Sequence, residues 1–182
     1  MLPLHWTPAP PHPTALRPLR QPGSLTARLA RSGRISVDVL SSGWDRAQAD
    51  EAAALGLPRA GMRIFVRQVC VRRDGQPAVL ARSYTTLRGV QGPWKGLRQL
   101  GRRPLASLLW TDPLIRRGPF EYSRLAAGHK LSRRLGLAEA LPARRSCFWR
   151  DGEALVVLES FAGLPWPGVI WLSRRRRWAA HR

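Results

Sequence analysis

Met62-Arg63-Ile64-Phe65-Val66-Arg67-Gln68-Val69-Cys70-Val71-Arg72, followed by Asp74-Gly75 and then by Ala78-Val79-Leu80-Ala81-Arg82-Ser83-Tyr84-Thr85, is the stretch from which the fold can be read. Two β-branched and apolar runs flank an Asp-Gly pair. That dipeptide supplies the two positive-φ residues of a tight hairpin turn, so the segment predicts an antiparallel β-hairpin. Side chains alternate between the faces of a strand. Met62, Ile64, Val66 and Cys70 therefore share one face of the first strand, and Phe65, Arg67, Val69 and Val71 share the other.

The same pattern returns near the end of the chain. Ser146–Arg150, Asp151-Gly152 and Ala154–Phe161 form a second Asp-Gly hairpin. Between and before the hairpins the pattern changes. Ser24 is placed to N-cap a short helix through Leu25, Thr26, Arg28 and Leu29, which Gly33 ends. Ile35, Val37 and Val39 alternate as a half-buried strand does, and the Ala-rich stretch Ala47–Leu55 reads as a helix stopped by Gly56 and Pro58. Trp94–Leu100 and Pro104–Trp110 read as two short helices separated by Gly101, and Phe120–Leu125 as a weaker strand. Hairpins separated by short helices predict an α+β class: a single domain with an antiparallel β-sheet. Residues 1–22 hold seven prolines and are expected to be an extended, loosely held head. The domain proper is expected over 23–164, with a basic Arg/Trp-rich tail over 165–182.

Composition narrows the chemistry. In 182 residues there are 31 Lys+Arg against 11 Asp+Glu, a net charge of +20, and only Lys95 and Lys130 are lysines. Such a chain attracts anions, whether nucleic acid, anionic lipid or small carboxylates and phosphates. Cys70 and Cys147 stand far apart with no CxxC, which excludes a disulfide framework and fits a reducing cytoplasm. Of the four histidines, His5 and His12 lie in the head and His181 is penultimate, so only His129 falls in the folded body. A zinc site or a His-based nucleophilic site is thereby disfavoured, and no metal is expected. Neither a GxGxxG nor a GxxxxGK[ST] pattern occurs, no apolar run of about 18 residues is present, and the first residues lack the apolar stretch of a secretory signal.

Two charges then stand out. Arg67 sits between Phe65 and Val69 on an apolar face, and Glu159 lies among Leu155, Val157 and Phe161. A lone buried guanidinium or carboxylate costs several kcal/mol unless paired. Either the two form a structural ion pair, or pair locally with Arg82 or Glu121, or Arg67 receives a substrate carboxylate while Glu159 handles a hydroxyl or a proton. From the residues alone, the reading ends at an anion pocket on an antiparallel sheet.

These residues belong to an ordered series: Gly23-Ser24-Leu25-Thr26-Ala27-Arg28-Leu29; Val66-Arg67-Gln68-Val69; Asp74-Gly75-Gln76-Pro77 with Ala81-Arg82-Ser83; Leu100-Gly101-Arg102-Arg103-Pro104-Leu105; Ala143-Arg144-Arg145-Ser146; and Leu158-Glu159-Ser160-Phe161. Their order and spacing over about residues 20–164 resemble the chorismate pyruvate-lyase family of ubiquinone biosynthesis. The resemblance implies one α+β domain whose short helices form flaps over a buried ligand. It implies conversion of chorismate to 4-hydroxybenzoate and pyruvate without a cofactor. It places the family's ligand-contacting arginine on Arg67 and its glutamate on Glu159, with two backbone N–H contacts on Leu25 and Leu105. On that reading Arg67 and the two N–H groups hold the ring carboxylate, and Glu159 bonds the ring hydroxyl and assists proton movement. Arg82 holds the second carboxylate or pairs with Glu159, the pairing ranking higher. The sequence departs from the family pattern at Gln68, where an acidic residue is common, and over Ser83-Tyr84-Thr85-Thr86. By alternation Gln68 faces away from the pocket.

The remaining features read blandly. Arg144-Arg145 is expected on a solvent face beside a strand, with contact to the dianionic substrate as the alternative, and His129 and Lys130 in a solvated loop. Arg174–Arg177, after apolar Val169–Leu172, reads as a solvated tail, with a weak contact to anionic membranes as the sharper alternative. A monomer is expected. Two other functions compete. One is a non-catalytic module of the same fold that binds small aromatic acids, as in the sensor domains of some transcription regulators. Only about 22 Pro-rich residues precede the first motif, so a DNA-binding domain ahead of it is expected to be absent. The other is a basic nucleic-acid-binding protein, for which no helix-turn-helix, zinc-finger or RNP-like signature speaks.

Overall fold

Both Asp-Gly pairs turn the chain as the sequence predicts. In the computed structural model, which describes residues 4–9, 23–126, 129–133 and 140–162, Asp74 and Gly75 take φ of 50° and 78°, and Asp151 and Gly152 take 49° and 76°. The first turn joins β2 (Arg63–Arg73) to β3 (Gln76–Thr85), and the second joins β6 (Leu141–Arg150) to β7 (Glu153–Phe161). β3 and β7 pair antiparallel, which fuses the two hairpins at the centre of one sheet. β1 (Ile35–Arg46) extends it beside β2. At the other edge β6 pairs with β4 (Arg116–Arg117) along one half and with β5 (Glu121–Leu125) along the other. The result is a seven-stranded antiparallel sheet.

Short helices cover both faces. α1 (Leu25–Ala30) opens as expected, with Ser24 Oγ accepting from Ala27 N at 3.1 Å. It lays Leu25 and Leu29 against Val37, Val69, Val71 and Phe161. On the same face, α3 (Leu87–Gln91), a 3₁₀ turn (Lys95–Gln99) and α4 (Ala106–Leu109) pack Val90, Trp94, Leu97 and Leu109 against Phe65, Phe148 and Val157. α2 (Ala49–Ala54) and α5 (Lys130–Arg133) cover the reverse face, over Ile64, Val66, Cys70, Leu80, Tyr84 and Leu158.

The β2–β3 register carries the main surprise. An unbroken continuation of Arg73↔Gln76 would set Arg82 opposite Arg67. A bulge between Val71 and Arg72 shifts the pairing by one residue, so Arg67 faces Ser83 and Arg82 faces Gln68. A one-residue slip reverses the face on which a side chain lands. Arg82 consequently points to the reverse face. There its Nε donates to Glu51 Oε1 at 2.6 Å and its Nη2 to Glu51 Oε2 at 3.2 Å and Asp45 Oδ2 at 3.0 Å. The expected pairing of Arg82 with Glu159 is not formed.

Other expectations about charge change in the same way. Arg144 and Arg145 are buried, because β6 lies between β7 and β5. Arg145 bonds Glu121 at 2.7 Å, and its guanidinium lies 4.4 Å from the ring centroid of Trp6. His129 is 2% exposed, and Lys130 at the start of α5 bonds Asp45 at 3.2 Å, so neither lies in a solvated loop. In the part of the head that is described, Thr7 bridges Tyr122 by two backbone hydrogen bonds of 3.0 and 2.8 Å. Trp6 Nε1 donates to Asp50 at 3.1 Å. These residues are strapped to the domain. The Arg174–Arg177 run falls outside the described residues. Among the described residues no helix is long and apolar enough to cross a membrane.

Breaking a buried ion pair from one side strands the other charge. Glu51→Ala is expected to lower the urea unfolding free energy by about 3–5 kcal/mol through Arg82. Burial lowers the pKa of His129 from its ordinary 6.5, with Arg82 and Lys130 adding to the fall while Glu51 and Asp50 oppose it. The folded state then binds that proton less tightly than the unfolded chain does. Stability should fall as pH drops below 6.5, and His129→Gln should flatten that part of the profile.

Candidate active site

The face of the sheet under α1, α3 and α4, the covered face, encloses a cavity between the strands and those helices. Its lining includes Leu25, Arg67, Leu105 and Glu159, the positions that the sequence singled out. Arg82 lies on the other side of the sheet and does not line it.

Arg67 stands in the middle of β2 and is 2% exposed. Its Nη2 donates to the carbonyls of Gly101 and Arg103, both at 2.9 Å. Those bonds tie the turn Leu100–Pro104 to the sheet, and Gly101, at φ 50°, lets that turn close. No carboxylate pairs with Arg67 among the described residues, and its buried Nε has no partner there. Burial alone pushes its pKa below the usual guanidinium value.

Glu159 is the cavity's carboxylate. It lies opposite Ala81 on one side and opposite Arg144 on the other, where Arg144 Nε donates to its Oε2 at 2.5 Å. Counting outward from Asp151-Gly152 in an unbroken hairpin gives the Arg144–Glu159 pair directly, so the sequence contained the signal for this partner. Leu25 and Leu105 sit at the starts of α1 and α4. N–H groups in the first turn of a helix have no intrahelical acceptor, and those of Leu25 and Leu105 donate to no backbone carbonyl among the described residues.

The sequence reading missed Arg117. It comes from the two-residue strand β4, lines the cavity, and donates from Nε to Ser146 Oγ at 3.0 Å. Its guanidinium lies 4.0 Å from the ring centroid of Phe120 and 5.1 Å from that of Phe148. Among the described residues no carboxylate pairs with it. Burial, and then the charges of Arg144 and Arg28, push it down to about 10, so it is still a cation at neutral pH. Two residues between Pro113 and Pro119 show no periodicity, so no pattern could have marked it.

The charges do not balance. Arg67 and Arg117 line the cavity together with Glu159, the carboxylate that Arg144 holds, and Arg28 lies close enough to feel both Arg144 and Glu159. A partly desolvated excess of guanidinium suits an anion carrying more than one negative charge, held among apolar walls such as Val69, Val157 and Phe148. Among the described residues, no group of His, Cys, Asp and Glu is disposed to hold a metal ion. Both thiols are free, and burial pushes that of Cys147 up to about 12, so neither resembles an activated nucleophile.

Known proteins share both the fold and the sequence. The C-terminal domain of the histidine utilization repressor from Pseudomonas syringae pv. tomato superposes with a TM-score of 0.53 at 17% identity, covering 79% of this chain and 99% of that one. The PhnF C-terminal domain superposes at 0.56 with 21% identity, covering 73% and 86%. At that identity the likeness is one of fold. Sequence similarity reaches further. A probable chorismate pyruvate-lyase of Albidiferax ferrireducens is 41% identical over 169 residues, covering 85% of this chain and 84% of the relative. One from Bordetella pertussis is 40% identical over 173 residues, covering 88% and 90%. Residues 8–167 match the profile of the chorismate lyase family, and the chain belongs to that family of lyases.

Proposed function

We propose that the protein eliminates pyruvate from chorismate to give 4-hydroxybenzoate, the aromatic precursor for ubiquinone, without a cofactor and in the cytoplasm. The observation that supports this reading is the buried Arg67, a cation in the cavity with which no carboxylate pairs among the described residues. Residues 23–164 form the catalytic unit.

Chorismate has a ring carboxylate, a ring hydroxyl and an enolpyruvyl ether that bears a second carboxylate. In the elimination the C–O bond between the ring and the ether oxygen breaks, and its electron pair leaves with the enolpyruvyl group. The hydrogen on the adjacent ring carbon departs as a proton, and its electron pair completes the aromatic ring. The enolpyruvate takes up a proton at carbon to become pyruvate. Aromatisation drives the step, so the protein's task is to fix one conformer, exclude water and stabilise the charge that develops on the leaving oxygen.

Each residue has a place in that task. Arg67, through Nε, and the N–H groups of Leu25 and Leu105 hold the ring carboxylate. Glu159, kept in place by Arg144, accepts the hydrogen bond of the ring hydroxyl. Arg117 grips the enolpyruvyl carboxylate, the lower-ranked of the two parts that the sequence left open for Arg82. As charge builds on the departing enolpyruvate, that guanidinium is already oriented by Ser146 and the ring of Phe120.

Purified protein incubated with chorismate, with no metal or cofactor added, should release 4-hydroxybenzoate and pyruvate in equal amounts, well above the spontaneous background. Folded protein that binds 4-hydroxybenzoate but turns nothing over would instead be a binding module. Arg67→Ala and Glu159→Ala should each lower kcat/KM by at least about a hundredfold. Arg117→Ala separates the two carboxylates. It should weaken chorismate binding by about tenfold or more while leaving the affinity for 4-hydroxybenzoate, which lacks the second carboxylate, unchanged.

A further inference from the structure

The reverse face of the sheet carries a second polar site that the lyase reading does not use. The cross-strand pairs Ser41↔Gln68 and Gln68↔Arg82 set three side chains abreast over β1, β2 and β3, on the side away from Arg67. Two residues further along β1, Gly43 stands opposite Val66. A methyl group built there would meet nothing within 4 Å, so the surface beside Gln68 stays open. Asp45 and Lys130 also line the groove, whose volume is about 680 Å³. That is ample for a small molecule.

What the groove lacks is specific. Arg82 is fully buried and has five N–H donors. Glu51 and Asp45 engage Nε and Nη2, and Nη1 is buried with no partner. Beside it Gln68 is 4% exposed, and its Oε1 also has no partner. An idle buried donor or acceptor costs about 1–3 kcal/mol, and folded proteins rarely leave two side by side. The local charge, by contrast, is already closed: Arg82 and Lys130 against Glu51 and Asp45. A charged ligand would bring an uncompensated ion into this site. One hydrogen-bond donor, on Arg82, and one acceptor, on Gln68, are idle, on side chains that stand opposite one another across β2 and β3.

We propose that this groove binds a small neutral molecule through an amide-type edge, its N–H donating to Gln68 Oε1 and its C=O accepting from Arg82 Nη1. A carboxamide and a lactam share that edge. A carboxylate of the same shape would turn a lone pair toward Gln68 Oε1 and add a charge. The site is independent of the lyase cavity, since Gln68 and Arg82 face away from Arg67 and Glu159.

The test uses the full-length protein with isotopic labelling, so that the Gln68 side-chain amide and the Arg82 guanidinium N–H groups are followed by NMR. Benzamide serves as the neutral probe and benzoate as its anionic counterpart. Benzamide should shift both sets of resonances saturably, and benzoate should leave them in place. Gln68→Glu supplies a carboxylate to Arg82 Nη1 and closes the site, so benzamide should bind at least about tenfold more weakly. Ser41→Phe fills the groove with Gln68 and Arg82 untouched and should abolish the shifts. An unchanged urea midpoint in both variants shows that the loss is not unfolding. The proposal is overturned if benzamide moves neither resonance, if benzoate moves them equally, if Gln68→Glu binds benzamide as well as the parent, or if crystals grown with benzamide hold only ordered water there. None of these readouts depends on turnover of chorismate, so this proposal and the lyase reading stand or fall separately.

Discussion

A buried guanidinium with which no carboxylate pairs among the described residues is the constraint around which the covered face is organised. Removing Arg67 from water costs several kcal/mol. What it has are two carbonyls, those of Gly101 and Arg103, and both belong to the turn that leads into α4. The arginine thus needs the turn for partial solvation, and the turn needs the arginine to stay on the sheet. Leu105 is carried into the cavity by that mutual dependence. A hydrophobic residue at position 67 would satisfy the strand and its neighbours Val69 and Val71, yet it would release the flap and empty the site of its central charge. On the proposed function, stability and ligand recognition therefore pull against each other at this residue.

How much of this could be read from the sequence depends on how local each signal is. The hairpins were legible because Asp-Gly specifies a two-residue turn with both φ positive, and both turns have it. Arg67 and Glu159 were legible because strict alternation makes a charge on an apolar face conspicuous. Arg82 was misplaced because a bulge between Val71 and Arg72 leaves no mark in residue type, and the slip it causes moves every later residue of β3 to the other face. Arg144 and Arg145 look like a solvent-facing pair until the sheet order puts β6 between two neighbours. Burial of that kind follows from long-range pairing, not from local pattern. Arg117 is the extreme case: its strand has two residues, and only the pairing Arg117↔Phe148 brings it to the cavity.

The two faces of the sheet answer the same electrostatic question in opposite ways. On the reverse face, Arg82, Glu51, Asp45 and Lys130 cancel one another, and Arg145 finds Glu121 and Asp50. Such a network adds little net stability over an apolar core, but it is costly to break from one side. On the covered face, among the described residues, the cations outnumber the carboxylate of Glu159, which pairs with Arg144. A net charge of +20 on the whole chain does not produce this difference, since arginines populate both faces. It arises from where the carboxylates are. Asp45, Asp50 and Glu51 all come from the end of β1 and from α2, and both elements present them to the reverse face.

That distribution has a consequence for how substitutions divide. Removing a carboxylate from the reverse face strands a buried arginine, so the damage appears as lost stability. Removing Arg117 from the covered face strands no carboxylate among the described residues and relieves its repulsion with Arg144 and Arg28, so the fold is spared more of the cost and, on the proposed function, the loss appears in ligand binding. Charge reversals should follow the same division. A new carboxylate on the reverse face meets a network already in balance. One placed in the cavity would pair with Arg67 or Arg117 and strengthen the fold, while occupying the position that a dianionic ligand needs. The apo protein gains stability from whatever neutralises that cavity. On the proposed function, the excess of guanidinium there is half of an interaction whose other half is a dianionic substrate.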